Sequence, residues 1–145
     1  MKRHASLIPL AREHHGGLIL SQILKKNAPS YKGMPESLED KSTYAFSFYQ
    51  SDLVPHFAAE EKVFDRLINI NPELDEKIKV IVAEHVRLRE LFAGLENSKA
   101  DAEYLDQIGQ DLEQHIRKED RELFPMIEEL ADEATMISIG QLLNH

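Results

Sequence analysis

The chain of 145 residues contains no cysteine. Disulfide bonds, thiolate metal sites and cysteine nucleophiles are therefore excluded, and the composition fits a reducing compartment. Basic residues are few, 17 against 26 acidic ones, and the net charge of -9 argues against nucleic acid or an anionic membrane surface as the main partner. No run approaches the roughly 18 apolar residues of a membrane span, nor the apolar core of a signal peptide. We therefore expect a soluble, cytoplasmic protein.

The rest of the composition is that of an ordinary globular protein, with 42% hydrophobic and 30% charged residues. The length fits one domain with a single core, spanning residues 1–145. No segment of useful length alternates apolar and polar residues with a period of two, so strands are not expected.

Proline, glycine and asparagine divide the chain into long helical segments. We predict helices over residues 5–27, 36–70, 73–96 and 100–130, and a short terminal helix over 134–143. The strongest loop signal is PSYKGMP at 29–35. Asn71-Pro72 ends the second segment, because the residue before proline disfavours the α region. Four long helices with short connections predict an all-α fold, an antiparallel up-and-down four-helix bundle.

Each of the four helices has one apolar stripe, and each stripe contains a histidine near its middle. Residues three or four apart share a helix face, so these histidines point inward at similar depth. The second and fourth stripes also contain a glutamate four residues after the histidine. LAREH at 10–14 is echoed by IVAEH at 81–85, which indicates a repeated helix pair. The inward polar residues are His14, His56, Glu60, His85, His115 and Glu119.

A single histidine on an apolar face is more often a hydrogen-bonded core residue than a metal ligand. Four histidines and two carboxylates in one core are different, because unpaired buried charges cost several kcal/mol each and a cation satisfies them together. Imidazole and carboxylate without thiolate suit iron, manganese or zinc. Six donor residues are more than one tetrahedral zinc ion can bind. They suit two octahedral ions that are bridged by Glu60 and Glu119. Unfilled positions would bind oxygen, nitric oxide, peroxide or water.

The pattern H…HxxxE…H…HxxxE on four helices resembles the hemerythrin-like, HHE cation-binding family. The resemblance covers residues 5–130, and its most specific stretches are HFAAEEKVF at 56–64 and HIRKEDRELFP at 115–125. Oxygen-carrying hemerythrins have a second histidine on the third helix where this chain has Arg89, so the wider HHE group is the better match. The resemblance implies a non-haem centre of two iron ions with the ligands His14, His56, Glu60, His85, His115 and Glu119.

Three classes of function remain open at this point. A protein that binds or senses a small diatomic ligand, dioxygen or nitric oxide, or that handles iron, is favoured because no acid–base pair or reductase domain is evident. A di-iron enzyme acting on peroxide, oxygen or nitric oxide would use the same ligands. The third class is a metal-free helical interaction module. The sequence does not identify a redox or protein partner.

Several residues near the predicted centre have two interpretations. His15 could replace His14 as the ligand or stand behind it as a hydrogen-bond donor, although the LAREH echo favours His14. Gly16-Gly17 allow either close helix packing or room for a small ligand. Tyr49 either packs in the core or contacts a bound ligand. Further predictions are a kink of the second helix at Pro55, where a backbone donor is missing, and solvent exposure of His4 and His145.

Overall fold

The computed structural model describes residues 3–29, 33–97 and 101–143, and these residues form five helices. The described residues contain no strand, so the all-α prediction is confirmed and the terminal helix is present. None of the described helices is long and apolar enough to cross a membrane. The helices are α1 (Ile8–Leu24, after the 3-10 turn Ala5–Leu7), α2 (38–65), α3 (Pro72–Asn97), α4 (102–130) and α5 (Glu133–Leu143).

Most of the helices begin at a short polar side chain. The side-chain oxygen of such a residue accepts a hydrogen bond from a backbone N–H of the first turn, which contributes about 1 kcal/mol. Helix α1 instead has a proline in its first turn, where the missing N–H costs nothing. The capping residues are Ser37 for α2, Asn71 for α3, Asp101 for α4 and Asp132 for α5.

The first two helices end earlier than predicted. Helix α1 stops at Leu24, and Lys25 is extended with ψ 144°. Helix α2 ends at Asp65, and Asn69 then adopts the left-handed conformation with φ 69°. Asn71 therefore caps the next helix rather than ending this one. Parts of two predicted boundaries, residues 30–32 of the loop and Ser98 after the third helix, lie outside the described residues.

Helices α2 and α4 each contain one π-helical turn. Both turns end two residues before a proline, Pro55 in α2 and Pro125 in α4. A proline inside a helix lacks an N–H and crowds the carbonyl of the preceding turn, and a widened turn accommodates both effects. Where the sequence predicts a kink at Pro55, the structure has a π-helical turn that ends two residues earlier. The π turns are Tyr49–Leu53 and Glu119–Leu123.

Helix packing is closest between α1 and α4, at two glycines. A Cβ on Gly109 would lie 2.7 Å from the backbone oxygen of Ser21, and one on Gly17 would lie 2.7 Å from Cδ1 of Ile116. Helices α2 and α3 also contact each other, and each contacts the α1–α4 pair. These contacts are compatible with the predicted antiparallel bundle.

Two separate apolar clusters fill the interior. The first cluster contains Leu10 of α1 and Ile81 of α3, together with residues of α5. The second contains Leu20 of α1 and Leu88 of α3. On both helices the histidine of the stripe falls between a residue of one cluster and a residue of the other. A polar layer therefore crosses the middle of the core.

Candidate metal centre

Six polar side chains from four helices meet in this layer, and they are the six predicted from the sequence. All are buried, with no more than 6% of any residue exposed. Each sits on a helix stripe whose other members are apolar, so burying the stripe carries the polar group inward. They are His14 of α1, His56 and Glu60 of α2, His85 of α3, and His115 and Glu119 of α4.

The six side chains form two groups of four, and both groups contain Glu60 and Glu119. Within a group, one ligand atom from each residue lies within 4.8 Å of all the others. Either group could hold one metal ion. We call the place completed by His14 and His56 position A, and the place completed by the other histidine pair, His85 and His115, position B.

Glu60 directs one carboxylate oxygen to each position. Its Oε2 lies 3.3 Å from Nε2 of His56 and 3.6 Å from Nε2 of His14, on the side of position A. Its Oε1 lies 3.1 Å from Nε2 of His85, on the side of position B.

Glu119, on α4, also directs one carboxylate oxygen to each position. Its Oε1 lies 2.8 Å from Nε2 of His14, at position A. Its Oε2 lies 3.2 Å from Nε2 of His115 and 3.6 Å from Nε2 of His85, at position B. Both carboxylates thus have the orientation of bridging ligands.

Each of the four histidines also contacts a further carboxylate, through the ring nitrogen that faces away from the centre. An ionised carboxylate only accepts hydrogen bonds, so each Nδ1 donates, and Nε2 is the nitrogen that faces the centre. Such outer carboxylates hold the ring plane and make the imidazole a stronger ligand. The Nδ1–carboxylate distances are 2.8 Å for His14–Asp120, 2.7 Å for His56–Glu13, 2.8 Å for His85–Glu61 and 2.8 Å for His115–Glu84.

Each outer carboxylate is the chain neighbour of an inner residue. Adjacent residues of a helix point about 100° apart, so a neighbour of an inward residue reaches sideways to the next helix. None of these four carboxylates was predicted from the sequence. The available signal was the shared glutamate in LAREH and IVAEH, and the acidic residue after each HxxxE. The neighbours are Glu13 before His14, Glu84 before His85, Glu61 after Glu60 and Asp120 after Glu119.

Two phenylalanine rings cover faces of the histidines. Phe57 stacks on His85, with centroids 4.3 Å apart and planes at 20°. Phe124 stacks on His14 at 5.5 Å and 11°. Both rings are fully buried, so they separate the imidazoles from water and restrict their tilt.

The inward atoms fit a metal pair better than a hydrogen-bonded network. Their N···O separations are 2.8–3.6 Å, yet among the described residues most of them form no hydrogen bond. Neighbouring donors around a metal with bonds of about 2.1 Å lie about 3 Å apart, which agrees with these separations. The unpartnered atoms are Nε2 of His14, His85 and His115 and both oxygens of Glu60 and Glu119.

Comparison with known families supports a metal-binding role for this cluster. The hemerythrin HHE cation binding domain matches residues 9–127, a span that includes all six inner residues and all four outer carboxylates. The chain belongs to this family. No curated protein and no solved structure matches it. The family resemblance read from the sequence is therefore confirmed, and binding of a metal cation is the property that the family implies.

The histidines of this HHE domain hold protons strongly when carboxylates alone surround them. Burial by itself lowers the pKa of His14, because a buried ring resists charge. The carboxylates of Asp120, Glu119 and Glu60 outweigh burial and raise that pKa to about 12. The same opposition raises the pKa of His56 to about 9, that of His115 to about 10, and that of His85.

The two inner glutamates of the HHE domain, Glu60 and Glu119, show the opposite shift. Burial favours the neutral acid and raises the pKa of Glu60, but His56 and the other facing imidazoles lower it well below its usual value. The pKa of Glu119 is also lowered, against the effects of burial and of the negative charge on Glu60. Without metal, protons on the imidazoles balance these carboxylates, so a metal that binds here displaces protons.

The two candidate metal ligands on α1, His14 and His15, lie in different environments. His14 is buried within the inner cluster, whereas His15 is exposed and lines a surface groove of about 740 Å³. Gly16 faces Phe48, whose ring would lie 3.1 Å from an added Cβ, and Gly17 faces Ile116. These contacts support close helix packing as the reason for the two glycines.

Tyr49 packs in the core, where its ring stacks on Phe92 with centroids 4.9 Å apart. His4, predicted to be exposed to solvent, is partly exposed. Its Nδ1 accepts a hydrogen bond from the N–H of Ser6, its Nε2 lies 3.2 Å from Glu133, and only 28% of the side chain is exposed. His145 lies outside the described residues.

Proposed function

We propose that the chain holds two iron ions in a non-haem di-iron centre within an antiparallel up-and-down four-helix bundle. One observation carries the proposal: each bridging carboxylate turns one oxygen to each histidine pair. Position A would use His14 and His56, and position B would use His85 and His115. Glu60 and Glu119 would serve both ions.

The number of donors favours a reactive centre. Each position has two nitrogen and two oxygen donors. Four donors would complete a tetrahedral zinc ion, whereas an octahedral iron or manganese ion would keep open positions. The family and the absence of thiolate ligands fit iron, so open positions are part of the proposal.

The function we propose is binding or sensing of a small diatomic ligand, dioxygen or nitric oxide, or handling of iron itself. When bound, ferrous ions supply electrons and open coordination positions to such a ligand. The outer carboxylates of the chain orient the imidazole donors, and the facing imidazoles keep Glu60 and Glu119 ionised. Phe57 and Phe124 limit access by bulk water, and this suits a small ligand better than a large substrate.

A di-iron enzyme acting on peroxide, oxygen or nitric oxide is the second candidate. A cleft of about 200 Å³ reaches His115 from the surface, and its lining includes Glu84 and Lys118. A cleft of that size admits peroxide or a diatomic molecule. The amine and carboxylate in its wall could move protons to and from the surface.

Metal analysis of protein loaded with ferrous iron under anaerobic conditions tests the proposal. We expect about two iron atoms per chain, and a change in the visible spectrum when the reduced protein meets oxygen or nitric oxide. Sustained turnover of peroxide with an electron donor would select the enzyme. A chain that retains no metal under any loading condition would instead be a helical interaction module.

A further inference from the structure

The outer carboxylates of position B are paired with cations. Glu61, behind His85, receives two hydrogen bonds from the Arg89 guanidinium, Nη1–Oε2 at 2.9 Å and Nη2–Oε1 at 3.1 Å. Glu84, behind His115, forms an ion pair with Nζ of Lys118. Two carboxylates and two cations give this outer layer a net charge of zero.

The outer carboxylates of position A have no such partners. No lysine or arginine of the described residues forms an ion pair with the carboxylate of Glu13 or Asp120. Arg3 lies on this side, but it donates to the backbone oxygen of Asp120 at 2.8 Å and pairs with Glu128 at 2.9 Å. Two carboxylates without a paired cation give this outer layer a net charge of -2.

We infer that the two metal positions differ in affinity and that position A fills first, because Arg89 and Lys118 neutralise the outer layer of position B alone. This inference rests on the two-metal centre proposed above. An unneutralised carboxylate pulls harder on the Nδ1 proton, so the Nε2 of its histidine becomes a stronger donor. Arg89 and Lys118 also repel a cation at position B directly. Their side chains are only 34% and 32% exposed, so water screens this repulsion incompletely.

Unequal affinity has a consequence for iron handling. At limiting iron, the chain would hold one ion at position A and leave position B to exchange. A half-filled centre of this kind can take up and release one ion without losing the other. The cleft lined by His115 and Glu84 also lies at position B, on the side of the outer carboxylate.

Anaerobic titration with Co²⁺, followed by calorimetry and visible absorption, measures the two steps without redox chemistry. The repeat supplies a matched pair of variants, because His56 and His115 occupy equivalent places. We expect wild type to show two steps separated by about tenfold or more. H56A should lose the tight step, and H115A should keep it. The reverse assignment, or steps equal within error, overturns the inference.

Charge variants test the cause of the difference. R89M and K118M should each tighten the weaker step by about tenfold and leave the tight step unchanged. R89K keeps the charge and should behave as wild type. R66M removes an arginine that donates to Ser138, outside both outer layers and outside the cleft lined by His115, and should change neither step. If R89M weakens the second step, Arg89 acts by holding Glu61 in place, and the charge explanation is wrong.

The two hypotheses fail in different ways. Wild-type protein that is folded by circular dichroism but binds no Co²⁺ and no iron overturns the two-metal centre, and the inference with it. Two bound ions per chain, with affinities that respond equally to R89M and R66M, overturn the inference and leave the centre intact.

Discussion

His14 and Asp120 are 106 positions apart in the chain, yet Nδ1 of the imidazole lies 2.8 Å from Oδ1 of the carboxylate. The residue before Asp120 is Glu119, whose Oε1 lies 2.8 Å from Nε2 of the same ring. Consecutive residues of α4 therefore contact both nitrogens of one histidine on α1. The ring can keep this orientation only while the two helices remain in register.

Replacing the outer partner should weaken metal binding without removing a ligand. In D120N the amide is a weaker acceptor for Nδ1–H, so His14 loses both orientation and donor strength. We expect metal affinity to fall by about 10- to 100-fold in a chelator competition assay. E129Q, an exposed change on the same helix, is the control. Equal affinity for D120N and wild type would show that this contact does not support the centre.

The adjacent histidines of α1 provide a direct test of the ligand assignment. H14A removes a donor from position A and should lower the iron content from about two atoms per chain to one or fewer. H15A alters an exposed side chain and should keep the wild-type content. Elemental analysis after identical loading gives the comparison. Loss of iron in H15A alone would reassign the ligand.

If Glu60 and Glu119 bridge two ions as proposed, removing either carboxylate should affect both ions. E119Q is nearly isosteric, but it places a neutral amide where one oxygen faces each position, so most of the metal-induced rise in melting temperature should disappear. For wild type that rise corresponds to about 4 kcal/mol at a thousandfold excess of metal over Kd. E122Q, an exposed change in the same π turn, should retain the rise. An undiminished rise in E119Q would exclude a bridging role.

The metal-free protein should become less stable as the pH rises above neutrality. The raised histidine pKa values mean that folding favours protonated rings, so their contribution is complete below the unfolded pKa of about 6.5. It is lost as the pH rises through about 9 for His56 and about 10 for His115. The lowered pKa of Glu60 has its effect at acid pH. There the folded protein loses stability as the pH decreases, because the carboxylate must be protonated.

Thermal melts of metal-free protein at several pH values between 6.5 and 10 measure this loss. Metal binding should show the opposite trend, with affinity increasing across the same range, because bound protons must leave the imidazoles. Calorimetry in buffers of different ionisation enthalpy would detect the released protons. A flat melting temperature across the range would mean that the rings are neutral in the metal-free fold.

Two glycine variants should separate backbone contact from side-chain contact in the α1–α4 interface. In G109A the new Cβ meets the backbone oxygen of Ser21, which cannot move unless the helices separate, so we expect a loss of about 1–3 kcal/mol. In G17A the neighbour is the tip of the Ile116 side chain, which can rotate. Alanine's higher helix propensity, about 1 kcal/mol, should then leave G17A near neutral. Chemical denaturation gives both values, and equal losses would contradict this distinction.

Periodicity in the sequence was sufficient to predict the helices and the residues that point inward. A stripe of residues three or four apart defines a helix face from local geometry alone, and His85 between Ile81 and Leu88 shows how clear the signal is. Helix ends were less predictable. Lys25 and Asn69 leave the helical conformation at positions without a proline, where several weak preferences compete.

The pairing between helices depended on tertiary structure. Nothing along the chain indicates that Glu61 will reach His85, or that Arg89 will in turn bind Glu61, because these contacts depend on the distance and rotation between α2 and α3. The division of each bridging carboxylate between two histidine pairs has the same origin. A sequence pattern records which face a residue occupies, whereas interhelical packing determines which atoms on facing helices come within 3 Å of each other.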